Sequence, residues 1–135
     1  MNHRSRILLA DDQPEILAEA RTLLKDHDIV GAVENGENLV EAAQRLLPDL
    51  IITDISMPRM SGFAAAARIR ELGLSPKLIF LTVQSAAAYV RKARTLGADG
   101  YVLKTYANEQ LLEAVSAVLT GQTYVSPQLK VSSWI

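Results

Sequence analysis

Five side chains in this sequence carry groups that could act together: the adjacent carboxylates Asp11 and Asp12, a third carboxylate Asp54, the hydroxyl of Thr82 and the ammonium of Lys104. Asp54 is the most conspicuous, because it closes the apolar run Leu50-Ile51-Ile52, which has the length and bulk of a strand buried on both faces. An ionised group at the edge of a packed core is costly unless something cationic meets it. If Asp11, Asp12 and Asp54 came within about 4 Å of one another, each pair would repel by about 4 kcal/mol at an effective dielectric near about 20. Lys104 offsets only one of the three charges. Either one carboxyl is protonated or a cation sits among them, and an all-oxygen cluster of few ligands suits Mg2+ better than a soft metal. A hydroxyl and an ammonium facing a metal-bound carboxylate then form a receptor for a tetrahedral anion, which is the chemistry of phosphoryl transfer to an aspartate nucleophile.

Taken singly, each residue has an ordinary structural reading. Asp12-Gln13-Pro14-Glu15 reads as a helix start with Asp12 as N-cap and Pro14 in the first turn. Asp54, before a loop containing Pro58 and Gly62, reads as turn chemistry. Thr82 fits a strand, Lys104 a solvated strand end and Tyr101 a half-buried strand aromatic. What decides between these readings is whether the chain brings the groups to one place.

The elements that must do so are legible. Short apolar runs recur at Ile7-Leu8-Leu9, Ile29 to Val33, Leu50 to Thr53, Leu78 to Leu81 and Tyr101-Val102-Leu103, giving five expected strands. Three stretches between and after them share one helical stripe: Ile16 to Leu24, Leu39 to Leu47 and Leu111 to Leu119. Two others, Phe63 to Leu72 and about Ala86 to Leu96, are alanine-rich and less clearly amphipathic. Strict alternation of strand and helix predicts right-handed crossovers and a doubly wound parallel sheet with helices on both faces. In such α/β folds the loops leaving the C-terminal strand ends meet in one crevice, where ligands bind. Asp11 and Asp12 follow the first strand, Asp54 the third, Thr82 the fourth and Lys104 the fifth. Four strands therefore send polar groups to a single edge.

The bulk properties narrow the class further. A length of 135 residues suits one domain and one core. Composition, 49% hydrophobic and 21% charged, is that of a soluble globular protein. The net charge of −1 gives no electrostatic footprint for nucleic acid or an anionic membrane. No cysteine is present, so neither a disulfide framework nor a thiolate metal site is available. The apolar part of the N-terminus is too short for a signal peptide, and no stretch approaches the roughly 18 apolar residues of a membrane span. A cytoplasmic protein without membrane contact is expected.

The ordered set Asp11-Asp12, Asp54 followed by Met57-Pro58 and Gly62, then Thr82, Tyr101 and Lys104 resembles the receiver domain of two-component response regulators over about residues 6 to 120. The stretches Leu103-Lys104-Thr105-Tyr106 and Gly121 to Pro127 further resemble the NarL/FixJ-like subgroup, whose receivers precede a LuxR-type helix-turn-helix. The resemblance implies a five-stranded sheet in the flavodoxin-like order 2-1-3-4-5. It also implies that Asp54 accepts a phosphoryl group from a partner sensor histidine kinase. Asp12 and Asp54 would ligate Mg2+ directly, Asp11 through water, and the backbone carbonyl of Ser56 would complete the protein ligands. Thr82 and Lys104 would contact the phosphoryl oxygens, and Tyr101 would swing inward as Thr82 moves. The product would be a phosphoacceptor switch rather than an enzyme, changing conformation and self-association, with homodimerisation as one outcome, to control transcription. Two features depart from the common pattern: Thr105 stands where many receivers carry proline, and Ser56 and Gln84, at places that tune autodephosphorylation, are not acidic.

The rival readings fit less well. A haloacid-dehalogenase-like phosphatase needs a second aspartate two residues after the nucleophile, where this chain has Ser56, and it needs room for a cap domain. A receiver-like docking scaffold usually lacks the acceptor or the acidic pair, and neither is lost. A flavodoxin-like cofactor binder needs a phosphate-cradling loop after the first strand, whereas Ala10-Asp11-Asp12-Gln13 would repel phosphate. The expected organisation is a receiver over residues 1–121 and a tail, or the start of a linker, over 122–135. The chain leaves no space for an effector domain, so DNA would be reached only through one absent from this chain.

Overall fold

The computed structural model describes residues 4–129 and Trp134; the remainder of the expected tail and the first three residues lie outside the described residues. The order of elements is β1 (Arg6–Ala10), α1 (Pro14–Leu23), β2 (Asp28–Val33), α2 (Gly36–Leu46), β3 (Leu50–Thr53), α3 (Gly62–Glu71), β4 (Lys77–Thr82), α4 (Ala87–Thr95), β5 (Gly100–Leu103), a 3-10 turn (Lys104–Tyr106), α5 (Ala107–Leu119) and β6 (Tyr124–Val125). All five expected strands and all five expected helices form where their apolar patterns place them. Every strand pairing is parallel.

Period-two alternation divides the strand side chains between two cores. Leu8, Ala10, Ile51, Leu78, Phe80 and Tyr101 pack with α2, α3 and α4, while Ile7, Leu9, Leu50, Ile52, Ile79, Leu81 and Val102 pack with α1 and α5. The alanine-rich helices that looked weakly amphipathic bury small residues, Ala65 and Ala66 on α3 and Ala93 on α4. A weak stripe of alanine lets a helix backbone sit close to the sheet, which leucine would prevent.

One expectation needs correcting. The sheet has six strands in the order 2-1-3-4-5-6, not five. Residues 122–125, expected as tail, return over α5 and lay β6 parallel to β5, pairing Gly100 with Tyr124 and Tyr101 with Val125. An edge strand leaves a row of unpaired N–H and C=O groups, and β6 answers part of that row. The Tyr124 N–H donates to the Asp99 carbonyl at 3.0 Å, and the Ser126 N–H to the Tyr101 carbonyl at 2.9 Å. Among the described residues no helix is long and apolar enough to cross a membrane.

Candidate functional site

Parallel pairing of β1, β3, β4 and β5 brings their C-terminal ends into line, and the polar residues stand where those ends stop. Asp11 and Asp54 are buried just beyond β1 and β3; Thr82, fully buried, is the last residue of β4; Lys104 opens the 3-10 turn after β5. One carboxylate oxygen each from Asp11, Asp12 and Asp54 lie within 4.8 Å of one another. Lys104 Nζ reaches into this cluster, 2.8 Å from Asp54 Oδ2 and 2.9 Å from Asp11 Oδ2. It also donates to Gln13 Oε1 at 2.7 Å. Gln13 is a residue that the sequence pattern does not single out.

Local structure fixes each carboxylate. The Gln13 N–H donates to Asp11 Oδ1 at 2.9 Å, closing the turn into α1. The expected cap by Asp12 does not form: Gln13 is the N-cap residue, its side chain makes no capping bond, and Asp12 is exposed. The physical reason is that Asp11, one residue earlier, already satisfies the first free N–H of that turn, which leaves Asp12 pointing to the crevice rim. Asp54 Oδ1 accepts from the Ile55 N–H at 2.7 Å, so its other oxygen faces Lys104. The loop after it is held in turn: the Gly62 N–H donates to the Ile55 carbonyl at 2.7 Å, and the Gly36 N–H at the start of α2 to the Met60 carbonyl at 3.0 Å.

The electrostatics follow from one lysine among three carboxylates. Burial raises the Asp11 pKa above its ordinary value, the Lys104 contact opposes that rise, and the nearby Asp54 charge adds to it. For Lys104 burial acts to lower the pKa, but the hydrogen bond to Asp54 and the close negative charge of Asp11 outweigh it and the net shift is upward. Asp11 Oδ2 is buried without an aligned hydrogen bond, although Lys104 Nζ is within ion-pair range. A buried, incompletely partnered carboxylate oxygen beside two further carboxylates is a donor set that fits a hard, oxygen-seeking divalent cation.

Thr82 Oγ1 accepts from the Gln84 N–H at 3.3 Å. Tyr101 is not half-buried but fully enclosed, and its hydroxyl donates to the Gln84 carbonyl at 2.6 Å. Its ring thus lies inward, on the α2–α3–α4 side of the sheet, with its hydroxyl tied to the loop that leaves β4. Ser56 is exposed on the loop after Asp54, and the Lys104–Thr105 peptide is trans.

The profile of the response regulator receiver domain family matches residues 7–116. The chain belongs to that family. This receiver is 36% identical over 126 residues to the nitrate/nitrite response regulator protein NarL of Escherichia coli, covering 91% of this chain and 58% of that protein. It is 32% identical over 126 residues to the transcriptional regulatory protein DesR of Bacillus subtilis, covering 91% and 62%. The chain therefore spans about three fifths of the length of these relatives. Among solved structures it is similar to a LuxR-family two-component response regulator from an Aurantimonas species, with a TM-score of 0.89, 26% identity and coverage of 94% of this chain and 93% of that one. The isolated REC domain of RcsB from Salmonella enterica serovar Typhimurium, in the presence of the phosphomimetic BeF3−, matches with a TM-score of 0.86, 26% identity and coverage of 94% and 96%. NarL and the LuxR-family structures place the receiver in the NarL/FixJ-like subgroup.

Proposed function

We propose that this receiver is a cytoplasmic phosphorylation switch in which Asp54 accepts a phosphoryl group from the phosphohistidine of a partner sensor kinase. The observation that carries the reading is the meeting of Asp54, Asp11, Asp12 and Lys104 at the ends of three separate strands. A carboxylate oxygen of Asp54 attacks phosphorus as the bond from phosphorus to the imidazole nitrogen breaks, and the electron pair returns to the imidazole, which takes up a proton. Lys104 moves from the Asp54 carboxylate to the transferred oxygens, and the Thr82 hydroxyl donates its proton to one of them. Asp12, Asp54, Asp11 and the Ser56 carbonyl would hold Mg2+, which would supply positive charge against the oxygens in transfer. The protein turns over no substrate of its own; its product is a conformation. Control of transcription through a DNA-binding effector domain is the output we infer from the NarL and DesR relatives, and phosphorylation of wild type but not Asp54→Asn by acetyl phosphate tests the reading at its root.

Metal binding has a pH dependence that follows from Asp11. Its folded pKa is raised above an unfolded value of about 3.9, so its contribution to stability is present below that value and is lost as pH rises through the folded pKa. Ionised Asp11 thus burdens the metal-free fold and favours the metal-bound one. We expect the rise in Tm produced by saturating Mg2+ to grow as pH rises from about 4 through the range in which Asp11 ionises, at constant ionic strength. A Mg2+-induced shift of equal size throughout that range would remove the acidic cluster as the metal site.

Thr82 and Lys104 differ in kind. Lys104 supplies charge to the transferred group, whereas Thr82 links that group to the loop leaving β4 through the Gln84 N–H. Thr82→Ala is therefore expected to take up phosphoryl from acetyl phosphate to the wild-type extent, yet to show neither the change in hydrogen exchange over residues 82 to 120 nor the change in sedimentation that wild type shows. Self-association is proposed to run through α4 and α5, because Tyr101 is enclosed and β6 lies along the edge of β5. A full wild-type response in Thr82→Ala would mean that another residue carries the switch.

A further inference from the structure

Beyond β6, Ser126 and Trp134 are both packed into the domain. Ser126 is fully buried; its Oγ accepts from the Leu103 N–H at 3.0 Å, and its hydroxyl donates to Gln110 Oε1 on α5. Further on, Trp134 is only 6% exposed. Its ring stands edge-on to that of Tyr101, with centroids 6.4 Å apart. Arg94 on α4 holds it from outside, with the guanidinium 5.9 Å from the indole and Nε donating to the Trp134 carbonyl. Among the described residues the indole Nε1 is buried without a hydrogen-bond partner. Packing against Tyr101 and the Arg94 contacts hold this side chain.

The far side of Tyr101 leads back to the site. Its hydroxyl donates to the Gln84 carbonyl, and the Gln84 N–H donates to Thr82 Oγ1. Thr82 uses only its oxygen in that bond, so its proton is free to go to a phosphoryl oxygen with the Gln84 and Tyr101 bonds intact. A Thr82 hydroxyl turned to the phosphoryl group is thus compatible with an enclosed Tyr101 and with Trp134 seated on it. A ring leaving the core on that side would have to displace the indole.

We propose that Trp134, held by Arg94, acts as a strap that keeps Tyr101 enclosed, and that seating of Trp134 and phosphorylation of Asp54 favour one another. This rests on Asp54 being the phosphoacceptor. Because coupling between two sites is reciprocal, loosening the strap must weaken the binding of a phosphoryl stand-in by the factor with which that stand-in tightens the strap. The C-terminal segment is then part of the switch, and whatever is tethered beyond it feels the state of Asp54.

The test uses the 135-residue chain with Mg2+ and beryllofluoride as the stand-in. Trp134→Ala is expected to weaken beryllofluoride binding, measured by calorimetry, by about fivefold or more. Arg94→Gln, which leaves no cavity in the core, should weaken it in the same direction, and Trp134→Phe should restore most of the loss. In a Tyr101→Leu background the Trp134→Ala replacement should change the affinity by less than about twofold. Trp134 is the single tryptophan, so its acrylamide quenching in wild type should fall when beryllofluoride saturates. Wild-type affinity in both Trp134→Ala and Arg94→Gln, or quenching unchanged at saturation, overturns the strap. If instead the intact mass of wild type shows no phosphoryl adduct after acetyl phosphate, the acceptor reading itself has failed, and the strap proposal falls with it on a separate readout.

Discussion

Asp54→Asn is expected to take up no phosphoryl group from acetyl phosphate and Mg2+ under conditions in which the wild-type chain gains one. The substitution is nearly isosteric, and an asparagine Oδ1 can still accept from the Ile55 N–H that holds the wild-type carboxylate at 2.7 Å. What it removes is the second oxygen, the one that faces Lys104 Nζ at 2.8 Å, and with it both the charge and the nucleophile. An amide nitrogen there is a poor nucleophile and presents N–H groups to an ammonium. The fold should survive, because the core beneath the site is set by strand residues that do not change. Intact mass measures the outcome, and peptide mapping locates any adduct. Equal labelling of the variant at Asp11 or Asp12 would transfer the acceptor role to that residue and undo the assignment of Lys104 as its partner.

The reason Asp54 could be singled out from sequence is that a buried parallel sheet leaves a strong signature in one dimension. Both faces of β3 are covered, so Leu50, Ile51 and Ile52 are all apolar, and a carboxylate ending such a run stands out. The strand-helix alternation then assigns Asp11, Thr82 and Lys104 to the same edge without any contact being known. Features that depend on three-dimensional reach were not legible in this way. Gln13 meets Lys104 across 91 positions of sequence, and nothing in a glutamine after an acidic pair reveals that. Asp12 looked like the helix cap because its position in the pattern was right, but Asp11 closes the turn and leaves Asp12 at the rim. The strand at Tyr124–Val125 is two residues long, too short for any periodicity, and lies between Gly121 and Pro127, which read as punctuation. Its existence depends on the open edge of β5, a property of the assembled sheet. Tyr101 looked half-buried because an edge strand exposes one side; the sixth strand and Trp134 cover it.

Gly62→Ala should both destabilise the receiver and slow phosphoryl uptake, against what helix propensity alone predicts. Gly62 is the first residue of α3, after Ser61, whose Oγ caps the helix by accepting from the Ala64 N–H at 3.1 Å. In an open helix, alanine for glycine would gain up to about 1 kcal/mol. Here a Cβ at position 62 would stand 1.9 Å from the Asp54 carbonyl oxygen and 3.1 Å from the Ile55 Cα. Both are backbone atoms, so no side chain can rotate away, and the loop or the first turn of α3 must give way by about an ångström. Overpacking of this kind typically costs about 1–3 kcal/mol, which exceeds the propensity gain. The displaced peptide is the one whose N–H, on Ile55, orients the Asp54 carboxylate. A misplacement of about 1 Å at a reacting group can cost about a hundredfold in rate, so the labelling rate should fall further than the loss of stability accounts for. Thermal melts and initial labelling rates by mass, taken well below the Tm of the variant, separate the two effects. A Gly62→Ala receiver with wild-type Tm and wild-type labelling rate would show that the β3–α3 loop does not set the position of Asp54.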